Sequence, residues 1–413
     1  MKQRARPAQP IEHNILLTAV LCLLAYGAVM VYSASSTESL LDSGGGAGSG
    51  FLVRYIAFGA VGLVAMQVMA RRGVAVVLKH TGTFLGIAFV CLLLVKIPGI
   101  GVEINGARRW LGAGPLQFQP SELMKLALLL HAVKLLAEKP KLVRTPRLLG
   151  PLFITAGIAI VLVASQPDLG TALVISFVLI SLLVVAGIPM RTLALGLLIM
   201  VVVVGLFALV EPYRRERLTT FLDPWAHSAD AGFQSVQGQI ALGSGGFFGV
   251  GLGQSTQKAF YLPEAHTDFI LAIIGEELGV VGVAGLLFLY GLIAFAGLRI
   301  AKNARGLYPK LLAAGLTALV LSQACLNVFT VLGLAPLTGV PLPFISYGST
   351  NLCVMLAAMG LLLNVSSGAT VTLRAVAPTE VPGSTGHATD PHRSRRDGRP
   401  RRAGAGHRRR AAS

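Results

Sequence analysis

Glu211-Pro-Tyr-Arg-Arg-Glu-Arg-Leu218 opens the segment around which this chain is organised, and Leu262-Pro-Glu-Ala-His-Thr-Asp268 closes it. Between them lies a glycine-rich run, Gly243-Ser-Gly-Gly-Phe-Phe-Gly-Val-Gly-Leu-Gly253. A connection of this length is either functional or disordered. Aromatic side chains recur along it, which argues against disorder: Phe221, Trp225, Phe233, Phe247, Phe248, Phe260 and Tyr261. Segment 211–268 is therefore the predicted active region.

Composition places the rest of the chain in a membrane. Hydrophobic residues make up 54% and charged residues 13% of the 413 residues, and the mean hydropathy is +0.71. Such values are typical of membrane proteins rather than soluble ones. The net charge of +17 does not indicate nucleic acid, because ten arginines against three acidic residues lie from Ser367 onward. The four cysteines lie in apolar runs without CxxC spacing, so they predict neither a metal site nor a disulfide framework.

Ten apolar runs are each close to the ~20 residues that a helix needs to cross a bilayer: 14–32, 51–69, 76–96, 119–136, 148–164, 170–188, 192–210, 268–297, 310–333 and 346–366. The predicted fold is an all-α polytopic membrane protein of about ten transmembrane helices. Residues 1–13 form its N-terminus and 14–368 its membrane domain, with a large loop, 211–267, between the seventh and eighth helices. Residues 369–413 have the composition of a disordered tail. The arginines of the tail either contact anionic membrane lipid or only enforce topology.

Lys and Arg in the short loops predict the orientation, because cytoplasmic loops carry the excess of these residues. The balance places both termini in the cytoplasm. Four polar motifs then share the extracytoplasmic face, since they follow the third, fifth, seventh and ninth helices: Asn105-Gly-Ala-Arg-Arg-Trp110, Ser165-Gln-Pro-Asp-Leu-Gly170, segment 211–268 and Thr338-Gly-Val-Pro-Leu-Pro-Phe-Ile-Ser-Tyr-Gly348. This convergence predicts a site there.

Asp268 is the candidate base of that site. A carboxylate at the edge of the hydrocarbon is partly desolvated, which raises its pKa and makes it a better proton acceptor. The alternative is structural, since Thr267 or Asp268 before an apolar run is also an ordinary helix N-cap.

Basic residues on the predicted outer face form a cationic set: Arg108, Arg109, Arg214, Arg215, Arg217 and Lys258. Guanidinium groups bind phosphates with bidentate geometry, so the set favours an anionic ligand over contact with lipid headgroups alone.

Lys125, Glu276 and Glu277 are ionisable residues inside apolar runs, a costly placement that is usually functional. At ~1.5 Å of rise per residue, Lys125 and Glu276 lie at similar depth. We therefore expect a buried ion pair between them, with Glu277 as the rival partner. The glycines of 243–253 match a nucleotide-binding pattern only weakly, since no strand precedes them. They are better explained by close packing of this segment against helices.

Several motifs of the chain together resemble the shape, elongation, division and sporulation (SEDS) family, which are ten-helix bacterial peptidoglycan glycosyltransferases. They are Asn105-Gly-Ala-Arg-Arg-Trp-Leu111, Gln119-Pro-Ser-Glu-Leu-Met-Lys125, Gln166-Pro-Asp-Leu-Gly-Thr171, Pro263-Glu-Ala-His-Thr-Asp-Phe269, Gly275-Glu-Glu-Leu-Gly279 and Pro341-Leu-Pro-Phe-Ile-Ser-Tyr-Gly348. The resemblance covers all ten predicted helices and leaves out only the tail. Gly251-Leu-Gly-Gln-Ser-Thr-Gln-Lys258 and Arg214-Arg-Glu-Arg-Leu218 are closer to the cell-division branch than to the elongation branch.

The resemblance implies a reaction and its residues. The substrate would be lipid II, a disaccharide-peptide on undecaprenyl pyrophosphate, polymerised at the outer face of the bacterial cytoplasmic membrane during septal wall synthesis. Asp268 would be the general base. The implied substrate-binding residues are Arg109, Glu122, Lys125, Asp168, Arg214, Arg217, Lys258, Glu264, His266, Ser346 and Tyr347. Whether Glu264 orients the acceptor or binds a divalent cation, Mg²⁺ or Mn²⁺, stays open. Implied partners are a class B penicillin-binding protein and other membrane proteins of the divisome.

Three other functions compete with this interpretation. A lipid II flippase would also need a cationic cavity and intramembrane charges, but no carboxylate at the outer mouth. A polymerase of the elongation branch would use the same site for another process. A scaffold without chemistry would tolerate exchange of the polar residues in segment 211–268.

Overall fold

The computed structural model describes residues 10–42, 50–104, 106–113, 116–139, 149–210, 217, 219–230, 232–258 and 262–368. The predicted tail, the first nine residues, Arg214 and Arg215 lie outside this part of the chain. Its helices and strands are α1 (Ile11–Asp42), α2 (Gly50–Val95), β1 (Gly101–Ile104), β2 (Ala107–Ala113), β3 (Leu116–Phe118), α3 (Pro120–Glu138), α4 (Gly150–Ala164), α5 (Leu169–Ala186), α6 (Met190–Val210), α7 (Phe233–Ser244), α8 (Ile270–Asn303), α9 (Leu307–Val331) and α10 (Ser349–Ser366).

The helices are those of a polytopic membrane protein, as the sequence predicts. Within the described ranges six are long and apolar enough to cross a bilayer: Ile11–Ser36 of α1, α2, α5, α8, α9 and α10. α4 is apolar but has only 15 residues, and α3 carries Glu122 and Lys125 in its first turns. The count of ten spans therefore stays a prediction.

α2 contains both of the predicted runs 51–69 and 76–96, with 46 residues in one helical segment. Its first arm packs along α10, with Gly59 beside Leu352 and the Ala70 carbonyl bonded to Asn364. Its second arm returns, because the Leu78 carbonyl accepts from Lys134 near the end of α3 and the Leu92 carbonyl accepts from Gln166. A straight helix of this length would span ~69 Å. The contacts therefore require the chain to reverse direction between the two arms.

One end of the bundle gathers the polar motifs, and we call it the site end. The Gln119 backbone amide donates to Thr350 at the start of α10, and the Gln119 side chain donates to Asp168 at the start of α5. The Tyr347 amide donates to the His266 carbonyl, just before α8. The starts of α3, α5, α8 and α10 therefore meet at one end, together with the loops that precede them.

A three-stranded antiparallel sheet of order β1-β2-β3, which was not predicted from the sequence, also lies at the site end. Arg109 of β2 attaches the sheet to the bundle, since its Nε donates to the Gln166 carbonyl at 3.1 Å. A signal was present in the sequence: Asn-Gly at 105–106 is the dipeptide preferred in tight hairpin turns, and Gly106 has φ +74°.

α8 is a broken helix. Every residue from Phe269 to Glu277 is buried, so this part of the helix is enclosed on all sides. At Gly279 the backbone leaves the helical conformation, with φ +66° and ψ −163°. The glycine-rich segment fills the break: the Val250 and Gly251 amides donate to the carbonyls of Glu276 and Glu277, and the Val280 amide donates back to the Gly246 carbonyl.

These bonds satisfy backbone groups that a break inside a bilayer would otherwise leave unpaired at high cost. The approach is close enough to require glycine. A Cβ on Gly249 would lie 2.1 Å from the Glu277 carbonyl oxygen, and one on Gly279 would lie 2.4 Å from the Gly249 nitrogen. The glycine run of 243–253 therefore packs against a helix, as the sequence analysis expected.

Candidate active site

Asp268 lies at the site end, two residues before the first residue of α8. The N-cap of α8 is Phe269, and no side chain makes a capping hydrogen bond there. The alternative interpretation of Asp268 or Thr267 as an N-cap is therefore wrong. The carboxylate of Asp268 is half-buried and remains available for chemistry.

A second carboxylate lies beside the first. The Thr267 hydroxyl is 2.8 Å from Glu264 Oε2 and 3.1 Å from Asp268 Oδ1, so it bridges the two side chains. Burial and the neighbouring negative charge of Glu264 raise the pKa of Asp268 to about 6, while Thr267 and Arg217 act in the opposite direction. A carboxyl group with such a pKa is ionised at neutral pH and is still a competent proton acceptor.

Arg217 brings positive charge to this pair. Its guanidinium is half-buried, and one nitrogen donates to the Leu337 carbonyl at 3.1 Å. Arg217 thus links segment 211–268 to the loop after α9.

The loop between α9 and α10 forms the wall opposite Asp268. Gly339 has φ +63°, and a Cβ built on it would lie 3.7 Å from Asp268 Oδ2. Ser346 is buried, and its hydroxyl accepts from the Leu342 amide within the same loop. Tyr347 is half-buried, and its ring packs with Phe51 and with the buried His266 ring, whose centroid is 4.4 Å from that of Phe51.

Asp168 accepts three hydrogen bonds, which locate the starts of α3 and α5 relative to each other. Its donors are the Ser121 hydroxyl at 2.8 Å, the Gln119 side-chain amide at 3.1 Å and the Thr171 backbone amide at 3.1 Å. Thr171 makes Asp168 the N-cap of α5. Asp168 is only 4% exposed, and its acceptor oxygens are bonded within the protein. These contacts favour a structural role over direct binding of substrate.

The expected ion pair between Lys125 and Glu276 is not formed. Lys125 Nζ pairs with Glu122 Oε1 at 2.8 Å and donates to Gln323 Oε1 at 2.6 Å, and both charged side chains are almost fully buried. Depth along two helices was a sound argument, but it did not give the direction in which each side chain points. Glu122 and Lys125 are one turn apart on α3 and meet on the same face.

Glu276 and Glu277 instead hold the glycine-rich segment. Glu276 accepts from the Ser255 and Thr256 hydroxyls and from the Thr256 amide. Glu277 accepts from Ser33 of α1 and pairs with Lys258 Nζ at 2.8 Å, with side-chain exposures of 0% and 5%. The expectation that Lys258 faces outward to bind an anion is therefore wrong, because its ammonium group is buried in this pair.

Two residues of α9 that contact the site, Gln323 and Asn327, were not predicted from the sequence. Both are buried, and both donate to carbonyl oxygens of the wall loop: Gln323 to Pro341 and Asn327 to Val340, each at 2.8 Å. Their signal was two amides four residues apart in an apolar run, a spacing that places them on one helix face.

Comparison with known proteins identifies the family. A family model for FtsW, RodA and SpoVE, described as cell cycle protein, matches residues 13–370. The chain belongs to the FtsW/RodA/SpoVE family. It is 40% identical over 358 residues to stage V sporulation protein E of Bacillus subtilis (strain 168), covering 85% of this chain and 96% of the relative. It is also 40% identical over 367 residues to a protein of Geobacter sp. (strain M18) named "Probable peptidoglycan glycosyltransferase FtsW", covering 88% and 98%.

Solved structures support the same family assignment. A chain from a peptidoglycan synthase complex, described as coordinating polymerization and crosslinking, superposes with a TM-score of 0.67 at 32% identity, covering 85% of this chain and 96% of that one. The rod shape determining protein RodA of Thermus thermophilus superposes with a TM-score of 0.63 at 30% identity, covering 85% and 95%. This chain is thus a multi-pass membrane protein of the SEDS family.

Proposed function

We propose that the protein is a peptidoglycan glycosyltransferase that polymerises lipid II into glycan strands at the outer face of the cytoplasmic membrane. One observation carries the proposal: a half-buried carboxylate, Asp268, whose pKa is raised to about 6, lies where the polar motifs of the chain meet. The names of the FtsW relatives support the reaction class. A flippase would need no carboxylate with this pKa at the mouth.

In this reaction Asp268 acts as the general base. It accepts the proton of the acceptor sugar's 4-hydroxyl while that oxygen bonds to the anomeric carbon of the donor. The bond from the anomeric carbon to the pyrophosphate breaks, and undecaprenyl pyrophosphate leaves with the electron pair. Attack from the opposite face inverts the configuration and gives a β-1,4 linkage. General-base catalysis of this kind contributes about 10²–10⁴-fold.

Arg217 is the described cation best placed to meet the pyrophosphate, because it is half-buried and acts on the pKa of Asp268. Arg109 donates from Nε to the Gln166 carbonyl and from one terminal nitrogen to the Pro167 carbonyl. We therefore assign it two roles, attaching the sheet to the bundle and binding substrate. Glu264 is exposed and orients the acceptor. Lys125 and Glu122 stabilise the wall through Gln323 rather than touching the ligand.

A divalent cation fits the same place. Mg²⁺ is usually bound by one or two carboxylates together with substrate phosphates, and Glu264, bonded to the Thr267 hydroxyl beside Asp268, offers the carboxylate of this pair that is not assigned as the base. Among the described residues no cluster of three His, Cys, Asp or Glu forms a complete protein-only metal site. A cation here would neutralise pyrophosphate charge.

The biological setting follows from the relatives. The FtsW names favour a role at the division septum, together with a class B penicillin-binding protein that supplies the transpeptidase. The equal identity to stage V sporulation protein E supports a sporulation role by the same measure. Depletion of the protein separates the two, because a septal polymerase is needed in every division and a sporulation polymerase only during spore formation.

The decisive experiment is lipid II polymerisation by the purified protein with its cognate penicillin-binding partner. Asp268→Asn is compared with Asp230→Asn, which changes an exposed aspartate of the same loop. We expect no glycan from Asp268→Asn and wild-type glycan from Asp230→Asn, with equal partner binding by both variants and a folded state that survives purification in each. Normal polymerisation by Asp268→Asn would refute the assignment. If the wild type also makes no glycan, a lipid II translocation assay tests the flippase.

A further inference from the structure

Asn327 connects the candidate base to the wall that faces it. It lies on α9 with 1% of its surface exposed. Its amide nitrogen donates to the backbone carbonyl of Asp268 at 2.7 Å and to that of Val340 at 2.8 Å. A carboxamide has two N–H groups, so one residue uses its whole donor capacity to join two segments that are distant in sequence.

Neither carbonyl belongs to a helix. Asp268 precedes α8, and Val340 lies between α9 and α10. Buried carbonyl groups without a partner are unfavourable, so the two segments depend on a donor from α9. Asn327 Oδ1 has no hydrogen-bond partner in the described part of the chain. Exchanging the amide's oxygen and nitrogen would set an oxygen against two carbonyl oxygens, so the two acceptors fix the orientation of the amide.

The link bears directly on the geometry of the reaction. Val340 follows Gly339, the residue on which an added Cβ would lie 3.7 Å from Asp268 Oδ2. By holding the Asp268 and Val340 carbonyls on a single nitrogen, Asn327 sets the width of the space between the carboxylate and the wall. Gln323, one turn earlier, holds the Pro341 carbonyl at 2.8 Å. Gln323 therefore supports the wall, and Asn327 relates the wall to Asp268.

We propose that Asn327 is a positioning residue that fixes Asp268 at its working distance from the wall loop 338–347. The inference rests on the proposed function, because it gives Asp268 the role of base. Displacement of a catalytic group by about 1 Å can reduce a rate by ~10²-fold. Loss of Asn327 should therefore reduce turnover while leaving the binding residues in place.

The test uses Asn327→Leu, which keeps the branched shape of the side chain and removes both donors, and Asn327→Ala, which leaves room for water to pair with the carbonyls. Thr317→Val is the matched control: it removes a buried hydroxyl from the same helix, and that hydroxyl bonds within α9, to the Ala313 carbonyl. Each variant is assayed for lipid II polymerisation as the full chain with its partner protein, over a range of pH and lipid II concentration.

We expect kcat to fall about 10- to 100-fold in Asn327→Leu, with KM for lipid II changed less than about threefold, and a smaller fall in Asn327→Ala. The acidic limb of the rate profile should move to lower pH, because a carboxylate released from its buried position loses part of the desolvation that raises its pKa. Thr317→Val should keep the wild-type profile. A simple folding defect would lower the amount of active protein without moving the acidic limb.

Three results would overturn the inference, and they are distinguishable. If Asp268→Asn is inactive but both Asn327 variants keep wild-type kcat and pH dependence, only the positioning role fails. If Asp268→Asn polymerises normally, the proposed function fails and the positioning role fails with it. A fall in kcat without movement of the acidic limb, shared by Thr317→Val, would also refute positioning.

Discussion

Asp268 and Glu277 are two carboxylates near the start of the same helix, and their surroundings are opposite. Glu277 is fully buried and pairs with Lys258 while accepting from Ser33. Asp268 is half-buried, and its charged neighbours include a second carboxylate, Glu264. A buried charge that is paired and fully hydrogen-bonded by the protein is typical of a structural role. A desolvated carboxylate beside a like charge has a raised pKa and is typical of a group that transfers protons. Around α8, Glu277 is therefore expected to contribute to stability, and Asp268 to the reaction.

The largest effect should come from opening the structural pair. Lys258→Met leaves the Glu277 carboxylate buried without its cation, and breaking such pairs from one side costs about 3–5 kcal/mol. We expect a large fall in melting temperature in detergent micelles. The double variant Lys258→Met/Glu277→Gln should recover part of this loss, because no uncompensated charge remains. Equal instability of the single and double variants would mean that packing, not charge, holds the glycine-rich segment.

The wall opposite Asp268 offers a second contrast. Gly339→Ala places a methyl group 3.7 Å from Asp268 Oδ2, in the space that the acceptor hydroxyl would enter in the proposed reaction. We expect about a 10- to 100-fold loss of polymerisation, as for other small misplacements at a reacting group. Gly187→Ala is the control, since it has a similar positive φ, +83°, with open space where its Cβ would lie.

Both variants carry the backbone strain of a left-handed residue, about 1 kcal/mol. Their melting temperatures should therefore fall together, and only Gly339→Ala should lose activity. Equal activities of the two variants would show that the loop between α9 and α10 does not border the reacting groups.

Asp268 should lower stability at neutral pH. Its pKa in the folded state, about 6, is above the ordinary value of 3.8. Its contribution to stability is therefore fully present below pH 3.8 and is lost as the pH rises through about 6. We expect Asp268→Asn to be more stable than wild type at pH 8, by about 2–3 kcal/mol, and nearly equal to it at pH 4. Melting temperatures across this range test the sign, and a variant less stable at pH 8 contradicts it.

The smallest effect concerns the neighbour of Asp268. Glu264→Gln removes a negative charge that raises the pKa of Asp268. The acidic limb of the polymerisation rate should therefore move to lower pH, by less than about one unit. Glu103→Gln, an exposed carboxylate of the sheet, should leave the limb unchanged. No movement in Glu264→Gln would show that burial alone sets the pKa.

Sequence patterns predicted the helices well where apolar runs were long. The predicted runs 170–188 and 310–333 correspond to α5 and α9, with boundaries within three residues. The sheet was missed because its strands have only four, seven and three residues. Such short strands carry little hydrophobic periodicity. The turn inside α2 lies between the two predicted runs, although α2 is one helix from Gly50 to Val95.

The meeting of the polar motifs at one end was predictable from the sequence, and the contacts of their side chains were less so. The chain order of the motifs was enough to bring Asp268, His266 and Tyr347 to one end. The partners of Lys125 and Lys258 were not predictable, because hydropathy gives the depth of a residue and not the direction of its side chain. Lys258 follows a segment that folds back onto α8, and no periodic pattern in the sequence encodes that return.

The break in α8 at Gly279 also dictates which parts of segment 211–268 can change in length. Residues 246–251 form the backbone hydrogen bonds that α8 cannot form with itself at its break. An insertion in 246–251 would therefore shift the donors and acceptors that pair with α8 there. Residues 226–230 are exposed and lie on the outside of the fold. A reporter peptide or epitope tag therefore belongs in the second region, where an accessible handle on the folded protein leaves α8 intact.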